Sequence, residues 1–83
     1  MNGSVDWRDA KFGEVLEQET TGLARRRSAD PDCTIAALEA QLSHLYIMEG
    51  ADWGGRGELQ DTVLAATIAA YESFIAEWKA ESR

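Results

Sequence analysis

The stretch Gly50–Glu58 constrains the fold of this chain more than any other part of its sequence. Four of its nine residues are glycine, and an apolar run with helical spacing lies on each side of it. Inside a helix, glycine is about 1 kcal/mol less favourable than alanine, so this stretch is expected to interrupt one. We therefore predict a turn here, joining two helices that pack against each other as an antiparallel hairpin.

The rest of the composition favours an all-α fold, formed as one small domain over residues 1–83. Alanine is abundant, Pro31 is the only proline, and runs of β-branched residues are missing, all of which favour helix. A core of this size rarely contributes more than about 3–5 kcal/mol to stability. Because Cys33 is the only cysteine, no disulfide within the chain can add to it. A partner subunit is therefore expected.

An N-terminal helix is predicted over about residues 5–27, packed across the hairpin. Its apolar residues fall on one helical stripe, but weak helix formers near 20–22 make a break there an alternative to a continuous helix. The basic run Arg25–Arg27 suits the C-terminal end of this helix, where the helix dipole favours positive charge.

The second helix is predicted over about 31–49. Asp30 is its predicted N-cap, Pro31 its first helical residue, and Gly50, in the left-handed conformation, its end. One face carries an apolar seam of the coiled-coil type. The opposite face carries small or apolar residues, which are Ala36, Ala37, Ala40, Ser43, Ile47 and Met48. This helix is therefore predicted to be sandwiched between the third helix and either the first helix or another subunit.

The third helix, predicted over about 57–81, carries two neighbouring apolar stripes, more than one packing partner requires. The first stripe consists of Leu64, Ile68, Tyr71, Ile75 and Trp78, and the second of Leu59, Val63, Ala66, Ala70 and Phe74. At about 1.5 Å per residue it is longer than the second helix. Ile75 and Trp78 near its end therefore need cover from the first helix or from a second copy of the chain. We predict a homodimer in which the hairpins form a larger helical bundle.

The charge distribution bounds the class of partner. The net charge is −7, and Arg56 is the only cationic residue between Arg27 and Lys79, an interval that holds nine acids. Such a surface disfavours nucleic acid and anionic membranes, and it attracts a basic protein. No apolar run is long enough to span a membrane, and the first residues lack the features of a signal peptide. Together with the lone thiol, these features predict a cytoplasmic protein.

No catalytic, cofactor-binding or metal-binding residue is predicted. Cys33 is expected about two positions inside the second helix, where a thiol can become reactive. The only histidine, His44, lies eleven residues further on, roughly 16 Å along a continuous helix, so the two cannot form a catalytic pair within one chain. The glycines of Gly50–Glu58 lack the residues that complete a phosphate-binding loop.

The leading functional hypothesis is a non-enzymatic protein–protein interaction module, serving as a regulator, inhibitor or assembly subunit. Tryptophan and arginine are enriched at interface hot spots, and the predicted turn carries both. The predicted partner-binding residues are Trp53, Arg56, Ile47, Met48, Ile75 and Trp78. The alternative is an acidic nucleic-acid mimic, of the anti-restriction or anti-CRISPR kind, which occupies the groove of a basic nucleic-acid-binding protein.

Overall fold

A computed structural model of the chain describes residues 7–51 and 57–81, which form three helices. Helix α1 spans Trp7–Ala29, α2 spans Ile35–Gly50 and α3 spans Glu58–Glu81. The described ranges contain no strand, and the predicted all-α class is confirmed. The connection between α2 and α3 lies outside these ranges, so the complete hairpin stays a prediction, as does the dimer. No helix within the described ranges is long and apolar enough to cross a membrane.

Helix α1 runs without a break through the positions where an interruption was considered. Thr20 lies in its interior and donates its hydroxyl to the Leu16 carbonyl, at 2.7 Å, so its polar atom is satisfied within the helix. One turn further on, Leu23 is 3 % exposed and lies in the core. Burial of this side chain offsets the weak helix propensity of its neighbours, because propensity is a small term beside tertiary packing.

The predicted start of α2 is wrong by about one turn. The helix begins at Ile35 with Thr34 as its N-cap, and the Thr34 hydroxyl accepts a hydrogen bond from the Ala37 N–H. Asp30 instead forms a turn, since its carboxylate accepts the N–H of Asp32 at 2.9 Å. Its own N–H still bonds the Arg26 carbonyl. Asp30 therefore closes α1 instead of opening α2.

The predicted left-handed glycine at the end of α2 is also wrong. Gly50 is the last helical residue, and the cap is Ala51, in extended backbone with φ −76° and ψ 115°. The Ala51 N–H bonds the Ile47 carbonyl at 3.0 Å and satisfies one of the free carbonyls of the last turn. The chain thus leaves the helix without the conformation for which glycine is needed.

Helix α3 is the central element of the three-helix packing, so the predicted sandwich of α2 between α3 and α1 is wrong, while cover by another subunit stays a prediction. Both α1 and α2 pack against α3, while no Cα atom of α1 lies within 8 Å of a Cα atom of α2. Helix α3 thus has two packing partners, in keeping with the two apolar stripes on its surface. The second face of α2 is consequently left outside the three-helix packing.

Side-chain pairs show the directions in which the helices pack. Glu39 near the start of α2 pairs with Lys79 near the end of α3, and Tyr46 further along α2 bonds Glu72. Residue order along α2 is therefore opposite to that along α3. Helix α1 follows α3 in the same direction, because its first turn pairs with Glu58 and its last turn pairs with Glu81.

All three helices contribute to one apolar core. Leu38 is fully buried at its centre, with 0 % of its surface exposed. The core cluster consists of Leu23, Cys33, Leu38, Leu45, Ile68, Tyr71 and Ile75. In the described part of the chain no charged or polar side chain is buried, so the core between the helices is apolar and the polar contacts between them lie at its exposed edges.

Candidate interaction surface

The side of α2 that points away from α3 is an apolar surface not covered by the other helices. We define the outer face of α2 as Ala36, Ala40, Ser43 and Ile47, all of which are exposed. Ile47, in the last turn of the helix, is 69 % exposed, although burying so large an apolar side chain is favourable. The outer face therefore leaves apolar surface in contact with water.

The packing of α2 on α3 fixes which residues point outward. Ile47 follows the buried Leu38 by nine residues, and at about 100° per residue that separation places the two on opposite sides of the helix. Tyr46 lies at the edge, where its hydroxyl donates to the Glu72 carboxylate of α3. That hydrogen bond raises the pKa of Tyr46 above its ordinary value, with burial and nearby acids acting in the same direction. The edge contact fixes the rotation of α2 and, with it, the direction of the outer face.

The outer face is also uncharged, although the chain is strongly acidic. Within α2 only Glu39 and Glu49 are charged. Glu39 bonds the Lys79 ammonium of α3 at 2.6 Å, which directs that carboxylate toward α3 and away from the outer face. The face therefore combines small and apolar side chains with no carboxylate of its own.

The structure separates the predicted partner-binding residues into three groups. Trp53 and Arg56 lie outside the described residues. Ile47 and Met48 are exposed, at 69 % and 52 %. Ile75 is 6 % exposed and belongs to the protomer's own core, so a partner that docks on the folded protomer does not reach it.

Trp78 is covered by α1. The sequence had left open whether the first helix or a second copy of the chain covers it. The Arg27 guanidinium lies 4.2 Å from the centre of its ring, and the Phe74 ring meets it edge-on with centroids 6.0 Å apart. The same guanidinium donates two hydrogen bonds to Glu81, at 2.8 and 3.3 Å. Sequence reasoning assigned the basic run to the helix dipole and missed this contact. The sequence signal for this contact is Glu81, which lies three residues after Trp78 and therefore on the same side of α3, where it can pair with an arginine.

The Arg27–Glu81 pair predicts a pH-dependent contribution to stability. The hydrogen bond from Arg27, with its positive charge, holds the pKa of Glu81 below the ordinary 4.5. A carboxyl whose pKa is depressed in the folded state stabilises the fold above its unfolded pKa and loses that contribution as the pH falls through the folded pKa. We expect Glu81→Gln to lower the melting temperature slightly at about pH 7 and to make no difference near pH 2.5.

The measurement is thermal unfolding followed by circular dichroism at the two pH values. Glu77→Gln, an exposed substitution of the same chemistry on the same helix, is the control and should leave the melting temperature nearly unchanged at both. An equal loss in Glu81→Gln at both pH values would contradict the assigned ion pair.

Cys33 and His44 lie in different environments. Cys33 precedes the N-cap of α2 instead of lying inside the helix, and it is 6 % exposed within the apolar core. His44 is exposed on α2. Among the described residues no group of three His, Cys, Asp or Glu side chains could hold a metal ion, and no pocket is present.

Comparison of the chain with protein-family models, with curated proteins and with solved structures finds no match. A functional assignment therefore has to be argued from the surface itself.

Proposed function

We propose that this chain is a non-enzymatic protein–protein interaction module that acts in the cytoplasm as a small regulator, inhibitor or assembly subunit. The observation that supports the proposal is the exposed, uncharged outer face of α2. Exposed apolar patches on small proteins mark interaction sites, because covering them releases the free energy of removing apolar surface from water.

Ile47 is the proposed anchor of this surface. Within residues 7–51 and 57–81 it is the most exposed large apolar side chain, and Met48 beside it is also exposed. Burying an isoleucine side chain contributes about 1.5–3 kcal/mol, which corresponds to roughly ten- to hundredfold in affinity. Trp53 and Arg56 are proposed to extend the set of partner-binding residues, because tryptophan and arginine are enriched at interface hot spots.

The test is affinity capture with the purified chain as bait, offered a differently tagged copy of itself together with cytoplasmic extract. Ile47→Lys should reduce capture of the bound protein at least about tenfold, because it puts a charge at the proposed anchor. Ala76→Lys makes a comparable change at an exposed position of α3 and should retain full capture. Equal capture by both variants would overturn the proposal. Trp53→Ala combined with Arg56→Ala tests the proposed extension separately.

The second candidate, an acidic nucleic-acid mimic, is favoured by a specific observation. The acids described between Asp30 and Glu77 are all exposed, although Glu39 and Glu58 are ion-paired with Lys79 and Arg8. Binding by such a mimic should weaken steeply as salt rises, whereas binding through the outer face should change little. Affinity for the captured partner at two ionic strengths decides between the two candidates.

A further inference from the structure

We propose that the outer face of α2 binds the same face of a second copy of this chain, with the two α2 helices antiparallel about a twofold axis. In this arrangement Ala36 of each copy faces Ile47 of the other, and Ala40 faces Ser43. The inference rests on the proposed function and names the partner of that surface.

The spacing of the outer face is self-complementary. Its residues are separated by four, three and four positions, the alternation that keeps a seam on one side of a helix along a helix–helix contact. Because this series reads the same in both directions, a twofold axis pairs each position with another member of the face. The bulky Ile47 then meets the small Ala36 at both ends, and two small residues meet at the centre. Large side chains opposite small ones, with small ones at the crossing, let two helices approach closely.

The charge distribution favours a second copy over a basic protein at this surface. Two chains of net charge −7 repel each other unless they meet through a region without carboxylates. The outer face is such a region, and the nearby Glu39 is held on α3 by Lys79. A basic partner would gain nothing electrostatically from an uncharged face and would be attracted to the acidic surfaces elsewhere.

The available area is small. Helix α2 has 16 residues, so the contact strip is about 24 Å long and about 10 Å wide. Two such strips amount to about 500 Å² in total, less than the area of a stable, specific interface. The dimer is therefore expected to be weak and transient, and to dissociate on dilution.

The test is analytical ultracentrifugation of the full chain over a wide concentration range. We expect a monomer–dimer equilibrium that Ala40→Glu weakens by at least about 100-fold, because it brings two carboxylates together at the twofold axis. Ala76→Glu, the same change at an exposed position of α3, should leave the equilibrium unchanged. Circular dichroism checks that both variants fold. A monomer at every concentration, or a dimer insensitive to Ala40→Glu, overturns the inference.

Cross-linking tests the register. An equimolar mixture of Ala36→Cys and Ile47→Cys chains, treated with a short bis-maleimide, should yield linked dimers, while Ala36→Cys alone should yield none. In the antiparallel pair the two copies of position 36 are separated by roughly 16 Å along the helices. The wild-type chain, whose Cys33 is buried, is the background control. Linked dimers from Ala36→Cys alone would indicate parallel helices and overturn the register.

The failure of this inference is distinguishable from the failure of the proposed function. A chain that stays monomeric but loses a different captured protein on Ile47→Lys refutes the second copy and supports the interaction surface. A chain that stays monomeric and captures the same proteins with and without Ile47→Lys refutes both.

Discussion

Leu38→Ala should leave most of the chain unfolded at room temperature. Leu38 is the one large side chain with 0 % exposure among the residues that the structure describes, and it lies in the cluster to which all three helices contribute. Truncating a buried leucine typically costs about 2–5 kcal/mol, since burial is lost and a cavity remains. A core of this size rarely supplies more than about 3–5 kcal/mol, so the single change is comparable with the whole stability.

Urea unfolding followed by circular dichroism measures this loss. Leu59→Ala is the matched control, because the same atoms are removed from a helical leucine that is 51 % exposed. We expect the control to lose no more than about 1 kcal/mol. Similar unfolding midpoints for the two variants would mean that Leu38 is not at the centre of the core.

The existence of the helices could be predicted from the sequence because their signals are local. Apolar spacing and glycine content predicted three helices, and the predicted end of the third helix near residue 81 agrees with the structure. The start of α2 was harder to predict, because two residues that suit an N-cap lie close together. Asp30 and Thr34 both suit an N-cap, and the choice depends on where α1 ends. Because Asp30 closes α1, Thr34 is left to open α2.

The order of the helices in space could not be predicted, because periodicity does not say which partner covers which face. The apolar residues around α2 left open whether the first helix or another subunit covers its second face, and the first helix does not. The two stripes of α3 likewise required a second partner but left open whether it is the first helix or a second copy of the chain. The sequence predicted Ile47 and Met48 as partner-binding residues, and both are exposed. It also predicted Ile75, which is buried in the core of the protomer.

The second stripe of α3 forms the contact with α1. Ala66 and Ala70 are one turn apart on this stripe and have 0 % exposure. Glu81 follows Ala70 by eleven residues, about three turns, and so lies on the same side of α3. Because Glu81 bonds Arg27 of α1, this side of α3 meets α1. Side chains as small as alanine let the two helices approach closely along the contact.

Ala70→Leu should therefore force α1 away from α3 and destabilise the chain. Adding methylenes to a well-packed contact costs about 1–3 kcal/mol, a large fraction of what so small a core provides. The urea midpoint should fall. Tryptophan fluorescence should also change, because separating α1 from α3 removes Arg27 from the Trp78 ring. Ala76→Leu adds the same atoms at an exposed position of α3 and should change neither signal, so equal behaviour of the two variants would show that α1 does not pack on Ala70.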